Sequence, residues 1–138
     1  MKTLLTTTLT LIALSAPAFA EGDAAKGEKE FKKCKACHMI VSPDGEEIMK
    51  GGKTGPNLYG VIGRVAGSVE DFKYGDGLKA AQEAGFVWTA EDIAQYVEDP
   101  KAWNDHHGFP AKTKMTFKLK KNQEDIAAYL ATFSKPAE

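Results

Sequence analysis

Cys34-Lys35-Ala36-Cys37-His38 is the stretch from which the rest of this sequence is read. A C-x-x-C-H run is the attachment pattern of a covalently bound c-type haem. The spacing follows from the chemistry. Two thiols add to the two vinyl groups of one haem, and the adjacent His is held beneath the iron, where an imidazole nitrogen binds it. Cys34 and Cys37 are the only cysteines, so the motif uses both. Other uses of a cysteine pair fit less well. A redox dithiol of the thioredoxin kind follows a strand in a βαβ unit, and nothing upstream of Cys34 alternates like a strand. A structural zinc takes four ligands, and no second cysteine pair exists.

Upstream of the motif, residues 1–20 read as a secretory signal peptide. Lys2 gives a positive start, Leu4-Leu5 through Leu14 a short apolar run, and Ala18-Phe19-Ala20 a small-x-small cleavage site. The apolar run is too short to span a bilayer. The expected mature chain, 21–138, is exported to a bacterial periplasm, the side of the membrane on which bacteria attach haem to thiols. Removing 20 of 138 residues leaves 118, enough for one compact domain. With Lys2 gone, 17 basic residues face 19 acidic ones, a formal charge of −2. The near-neutral total hides a pattern. Lysines crowd the motif (Lys32, Lys33, Lys35) and a later segment (Lys112, Lys114, Lys118, Lys120, Lys121), while acids collect elsewhere. Most such charges are solvated faces; two lysine clusters flanking candidate haem ligands would also steer an acidic partner.

Downstream, short helices alternate with long connections. A first helix is predicted from an Asp23 N-cap to about Lys33, with Ala24, Gly27 and Phe31 on one stripe. Gly27 weakens a helix, so a close crossing by another helix is its expected reason. Residues 38–55 read as loop, with a turn at Ser42-Pro43-Asp44-Gly45 and a hinge at Gly51-Gly52. The irregular reading continues to Gly67. A short helix follows over 76–84, closed by Gly85. Trp88-Thr89-Ala90-Glu91-Asp92-Ile93 is a helix start: Thr89 at the N-cap, Asp92 at N3, Trp88 and Ile93 as a hydrophobic staple. Ile93, Tyr96 and Val97 form its buried stripe, and Asp99-Pro100 stops it. Residues 101–121 read as an extended Lys-rich loop. Asn122 caps a last helix facing inward with Ile126, Tyr129, Leu130 and Phe133. The class is all-α, four to five short helices with long loops wrapped around one haem, which completes a core the helices alone could not supply.

A second axial ligand is needed opposite His38. Met39 is tethered beside His38 and cannot reach the far face. Met49 lies eleven residues on, in the early loop. His106 and His107 are adjacent in a Gly/Pro-bounded loop and would give a bis-His haem. Met115 is distant in sequence and sits on a loop able to close over the far face, although Met is as often a core filler. Spacing leaves these open, with a modest preference for Met115.

From Gly22 to Phe133 the chain resembles class I cytochrome c, in particular the longer bacterial cytochromes c2. The resemblance rests on Gly22-Asp23, Lys26-Gly27, Phe31, Cys34–His38, Thr54-Gly55-Pro56-Asn57-Leu58-Tyr59-Gly60, Gly63-Arg64, Phe72, Tyr74 and Trp88. It continues through Tyr96-Val97-Glu98-Asp99-Pro100, Thr113-Lys114-Met115, Phe117 and Ile126-Ala127-Ala128-Tyr129-Leu130. It implies the cytochrome c fold with one covalent haem c on Cys34 and Cys37, and His38 and Met115 on the iron. It implies a Pro56 carbonyl that accepts from His38 Nδ1. Tyr74 and Trp88 would bond an inward propionate beside Arg64. Tyr96 would reach the sulfur side of Met115, and Thr113 the outer propionate. Two loops, 38–56 and 100–115, are longer than in compact members, and Leu78 stands where those often have Asn.

The function this implies is electron transport, not catalysis. His and Met on a low-spin iron leave no position for substrate, and the thioether favours Fe(II). Electrons would leave through a haem edge ringed by Lys32, Lys35, Lys112, Lys114 and Lys118. By resemblance the donor is a cytochrome bc1 complex and the acceptor a photosynthetic reaction centre or terminal oxidase, visited by a monomer in brief complexes. A haem enzyme or gas sensor would need an open sixth position, and gas-binding c-type bundles carry the motif near their end rather than their start. A haem-free dithiol protein would show two alkylatable thiols.

Overall fold

The structure, a computed structural model, describes residues 22–134. The expected leader, 1–20, and the chain beyond Ser134 lie outside the described residues.

Asp23 starts the first helix as the sequence predicts. Its carboxylate accepts from the backbone N–H groups of Ala25 and Lys26 at 2.9 and 3.1 Å, which satisfies two donors a helix start leaves unpaired. Helix α1 covers Ala24–Glu30, and a tighter turn, Phe31–Lys33, carries the chain into the cysteine motif. The last helix, which becomes α5 in chain order, covers Gln123–Ala131. It crosses α1 at Gly27. A Cβ on Gly27 would lie 1.9 Å from the Asp125 carbonyl oxygen and 2.7 Å from the Tyr129 Cβ, so only glycine allows the two backbones this close. Phe31 and Tyr129 meet edge-on beside the crossing, ring centres 5.8 Å apart. Phe31, Ile126 and Leu130 are fully or almost fully buried, each worth about 2 kcal/mol of apolar burial. Asn122 occupies the N-cap position of α5, but in a left-handed conformation (φ 62°) and without a side-chain cap.

The predicted helix after Tyr74 is α2, Asp76–Glu83, followed by Gly85 at φ +67°. Helix α3, Ala90–Glu98, has the predicted capping box, with Thr89 Oγ1 accepting from Asp92 N–H and the Asp92 carboxylate reaching back to Thr89 N–H. Trp88 and Ile93, the staple pair, are both buried.

Two expectations fail. Residues 38–55 are not all loop: Ile40–Val41 (β1) and Glu47–Met49 (β2) pair as a small antiparallel hairpin around the predicted 42–45 turn. Gly51 and Gly52 are not a hinge either. A Cβ on Gly51 would lie 1.8 Å from the His38 carbonyl oxygen, and one on Gly52 2.2 Å from that of Ala36, so they let this segment press against the motif backbone. The second failure is at 100–106, where Pro100–His106 forms helix α4. Asp99 ends α3 and at once caps α4, its carboxylate accepting from Ala102 N–H at 3.1 Å while also holding Lys118 at 2.7 Å. Pro100 fits the first helical position, where no N–H is needed, and Gly108 ends the element at φ +74°. Proline here starts a helix as well as stopping one.

Gly27→Val should lower stability by at least about 2 kcal/mol, because the added atoms meet backbone rather than a side chain able to move. Urea unfolding of the haem-loaded protein checks this against Glu28→Ala on the exposed face, expected to be within about 0.5 kcal/mol of the parent.

Candidate haem centre

The motif is held as a continuation of α1. Cys34 N–H and Lys35 N–H bond the Phe31 carbonyl, and Cys37 N–H and His38 N–H bond that of Cys34. This winding places Cys34, Cys37 and His38 at steps of three and four, on one side of the turn. The segment 51–56 then backs the motif. Gly52 N–H bonds Lys35 O and Gly55 N–H bonds Cys37 O, at 2.9 and 2.7 Å. Pro56 O lies 2.8 Å from His38 Nδ1. A carbonyl can only accept, so Nδ1 carries the proton and Nε2 is left with its lone pair free. A Cβ on Gly55 would sit 2.3 Å from His38 Cε1; glycine there makes room for the ring. Burial holds the His38 imidazole below its ordinary value, partly offset by the Pro56 bond. It is therefore neutral near pH 7, the form that binds metal.

His38 lines an apolar cavity with an inner and an outer lobe that share six lining residues. His38, Pro56, Tyr74, Leu78, Tyr96 and Met115 line both lobes. The inner lobe adds Cys34, Arg64, Trp88 and the core faces of α3 and α5; the outer adds Thr54, Gly55, Phe72 and Thr113. All the predicted site residues but one thus converge on one cavity. Cys37, the exception, is exposed one turn from Cys34. Met39, Met49, His106 and His107 do not line it. Met49 pairs with Ile40 in the hairpin, and His107 is held by Trp103 O and Asp92.

Met115 is held by its neighbours. Its N–H donates to Thr113 Oγ1 at 3.0 Å, and Thr113 Oγ1 lies 3.1 Å from the Tyr96 hydroxyl. Burial raises the Tyr96 phenol above its usual range, with the Thr113 bond opposing. On the inner wall, residues 63–66 and 86–88 form a short antiparallel ladder, with Trp88 N–H to Arg64 O at 3.0 Å and Gly63 N–H to Trp88 O at 2.8 Å. This sets Arg64 beside Trp88. Arg64 Nη1 donates to Asn57 O and Tyr59 O.

The sequence reading missed that ladder and the lining role of Val61 and Leu58, while Leu78, singled out there by resemblance, lines both lobes. Period-2 signals are absent from a ladder this short.

Against proteins of known name, the chain is 57% identical over 142 residues to cytochrome c-550 of Paracoccus versutus, covering 99% of this chain and 92% of that protein. It is 59% identical over 130 residues to cytochrome c2 of Rhodobacter capsulatus, covering 93% and 94%. The chain belongs to the cytochrome c2 family. The solved structure of Rhodobacter capsulatus cytochrome c2 matches with a TM-score of 0.78 at 61% identity, over 80% of this chain and 97% of that one. No family model matches the chain. As a cytochrome c2-type protein with this fold, it is a haem electron carrier and not an enzyme, with one covalent haem c.

The residues fit that group. Cys34 lines the apolar inner lobe, where burial pushes its thiol up to about 11; a thioether leaves no charge to bury. Arg64 Nε is buried without a hydrogen-bond partner, a donor suited to a buried carboxylate. The Tyr74 hydroxyl accepts from Val69 N–H at 3.1 Å, keeping its own proton to donate. Among the described residues, no helix is long and apolar enough to cross a membrane.

The folded His38 value lies below the unfolded one, near 6.5, so the neutral ring's stabilising effect is complete above that pH. It is lost as pH falls from about 6.5 through the depressed folded value. A metal held at Nε2 would compete with the proton there, so the haem-loaded protein should keep its visible spectrum to well below pH 6.5 and lose it in one acid transition. Absorption during acid titration checks the direction; a loss on the alkaline side of neutrality only would contradict it.

Proposed function

We propose that this protein is an exported one-electron shuttle whose haem c, joined through Cys34 and Cys37, is ligated by His38 and Met115. One observation carries the reading: His38, fixed by Pro56, and Met115, fixed by Thr113, line the same apolar cavity, from which His106 and His107 are absent. Bound there, the haem supplies a reversible one-electron couple. The protein's residues do the rest. The Pro56 carbonyl orients His38 and strengthens it as a donor. Tyr96 and Thr113 hold the loop that presents Met115, so the same two ligands serve both oxidation states. Arg64, Tyr74 and Trp88 would hold an inner propionate, and Thr113 an outer one. Leu58, Val61, Ile93, Val97 and Leu130 exclude water, which favours the less charged, reduced state.

The lysine ring meets the partner. Lys32, Lys35, Lys112, Lys114 and Lys118 are exposed, but two are partly neutralised: Lys118 by Asp99 at 2.7 Å and Lys112 by Asp76 at 3.7 Å. Lys114 donates to Lys73 O at 2.7 Å and keeps its full charge. Lys32, Lys35 and Lys114 therefore give most of the field. A basic ring of this kind suits acidic docking surfaces on membrane redox complexes: a cytochrome bc1 complex as donor, a reaction centre or terminal oxidase as acceptor. The likeness to cytochromes c2, with the leader pattern at 1–20, supports a periplasmic, monomeric carrier.

Met115→Ala should abolish the weak red sulfur–iron band of the oxidised protein and open the iron to added ligand, while His106→Gln and His107→Gln keep the band. Retention of the band in Met115→Ala would sink this ligand assignment. Bimolecular reaction with an acidic redox partner should slow steeply with added salt, since screening shortens the field. Lys35→Glu should slow it at low salt more than Lys118→Glu does. Stopped-flow rates at several ionic strengths decide both.

A further inference from the structure

Asn104, on α4, is fully buried, and neither its Nδ2 nor its Oδ1 finds a hydrogen-bond partner in the protein. Among the described residues the other buried polar side-chain atoms without a partner are Arg64 Nε, in the wall of the haem site, and Ser134 Oγ, at the end of the described chain. Asn104 lines neither lobe of the haem cavity, so a haem carboxylate does not account for it. Backbone covers the amide. A Cβ on Gly77 would lie 2.4 Å from Asn104 Nδ2 and 2.6 Å from the Pro110 carbonyl oxygen. The amide therefore sits beneath the start of α2 and the chain at Pro110.

That cover is the segment that presents Met115. Gly77 N–H donates to Lys112 O at 3.0 Å. A Cβ on Gly75 would lie 3.0 Å from Lys112 O and 3.1 Å from Thr113 Cα, so the two glycines let the backbone of 75–77 rest on that of 110–114. The segment is otherwise thinly held. Within 110–118 only Thr113 and Met115 are even half-buried. Its other ties are the Tyr96–Thr113 bond, Lys114 Nζ to Lys73 O, and surface ion pairs of Lys112 and Lys118. A stretch with so few buried apolar contacts opens at the low end of a protein's stability range. When it lifts, the amide beneath it reaches water. A buried amide left unpaired carries its full desolvation cost, and here that cost exists only while the segment is closed.

We propose that Asn104 is a positioning residue for Met115 that acts by loosening: its unpaired amide destabilises the closed arrangement of 110–114. It thereby sets how readily Met115 yields its place on the iron to an added neutral nitrogen ligand. The proposal rests on the Met115 assignment above. The exchange itself is a substitution. The sulfur–iron bond breaks, a nitrogen lone pair of the added ligand takes that position, and no electron or proton moves. The sign is the opposite of what a packing role gives. Replacing a side chain that supports a segment loosens the segment. Replacing this amide by a side chain with no unpaired polar atom removes a cost from the closed state alone, and so tightens it.

The test reads the segment in two ways on the haem-loaded protein, at one fixed pH. Hydrogen exchange of the Gly77 amide reports opening directly, because its bond to Lys112 O breaks when the segment lifts. Imidazole binding to the oxidised protein, followed by loss of the red sulfur–iron band, reports how easily Met115 is displaced. Asn104→Leu should slow the exchange and weaken imidazole binding, each by at least about fivefold, the scale set by one unpaired buried amide. Asn104→Thr, close to Asn in volume and able to bond a carbonyl of its own helix, should shift both in the same direction without overpacking. His106→Gln, on the exposed side of α4, should change neither. Faster exchange or tighter imidazole binding in both Asn104 variants, or no change in either, overturns the proposal. A wild type that shows the red band while Gly77 exchange ignores both variants overturns this inference alone. A wild type without the band overturns the Met115 reading and this inference with it.

Discussion

The approach of α5 to α1 at Gly27 is the contact on which the rest of the structure depends, because it brings the two ends of the described chain together. The elements between them are short, seven to nine residues in each helix, and none could bury a stable face alone. Packed backbone to backbone, α1 and α5 give Phe31, Ile126 and Leu130 a common interior. Asp125 reinforces the contact, since its carboxylate accepts from Asp23 N–H at 2.8 Å while its carbonyl rests against Gly27. The turn carrying Cys34 and His38 leaves the end of α1 at a fixed angle, so the crossing also sets the cavity's rear wall.

A second constraint acts on the opposite side of the motif. The segment 51–56 runs against the backbone of 35–38 with glycine at 51, 52 and 55 because carbonyl oxygens or the imidazole occupy the space of each missing Cβ. Three glycines in five positions look like looseness in a sequence. Here they permit two short backbone hydrogen bonds and the Pro56 contact that fixes His38, so a flexible composition yields one of the better-held parts of the site. Asn57 extends this, bonding both N–H and C=O of Val41 and tying the hairpin to the same segment.

Sequence patterns with a local physical cause were the ones that could be read in advance. The Asp23 cap, the Thr89 capping box, the C-x-x-C-H spacing and the need for a small residue at 27 each express themselves within a few residues or through a strong chemical rule. The hairpin at 40–49 was illegible because two paired strands of two and three residues have no room for alternation. Helix α4 was missed for a different reason. Asp99-Pro100 was read as a stop for α3, yet the same pair has the cap and first-turn chemistry of a start, and Gly108 marks the matching end. The convergence of distant residues on one cavity came from family resemblance rather than from spacing, which left Met49, Met115 and the two histidines as competing ligands.

Helix α4 backs the candidate haem site without lining it. Its Trp103 is buried against Trp88 and Tyr96, so the inner wall of the site is supported by a second layer of rings rather than by solvent. The Asp92 carboxylate stands at the outer edge of that layer, 3.4 Å from Trp103 Nε1. An apolar wall lowers the local dielectric, so a charge behind it is felt by the iron more than one on an open surface at the same distance. A carrier built this way separates two electrostatic tasks by location. Exposed lysines of the kind proposed to meet a partner would act through water and be screened by salt, whereas charges behind the aromatic wall would act on the iron through protein and be screened little. Changes at the ring should therefore alter encounter with partners, and changes behind the wall the electron's energy, with little crossover between the two.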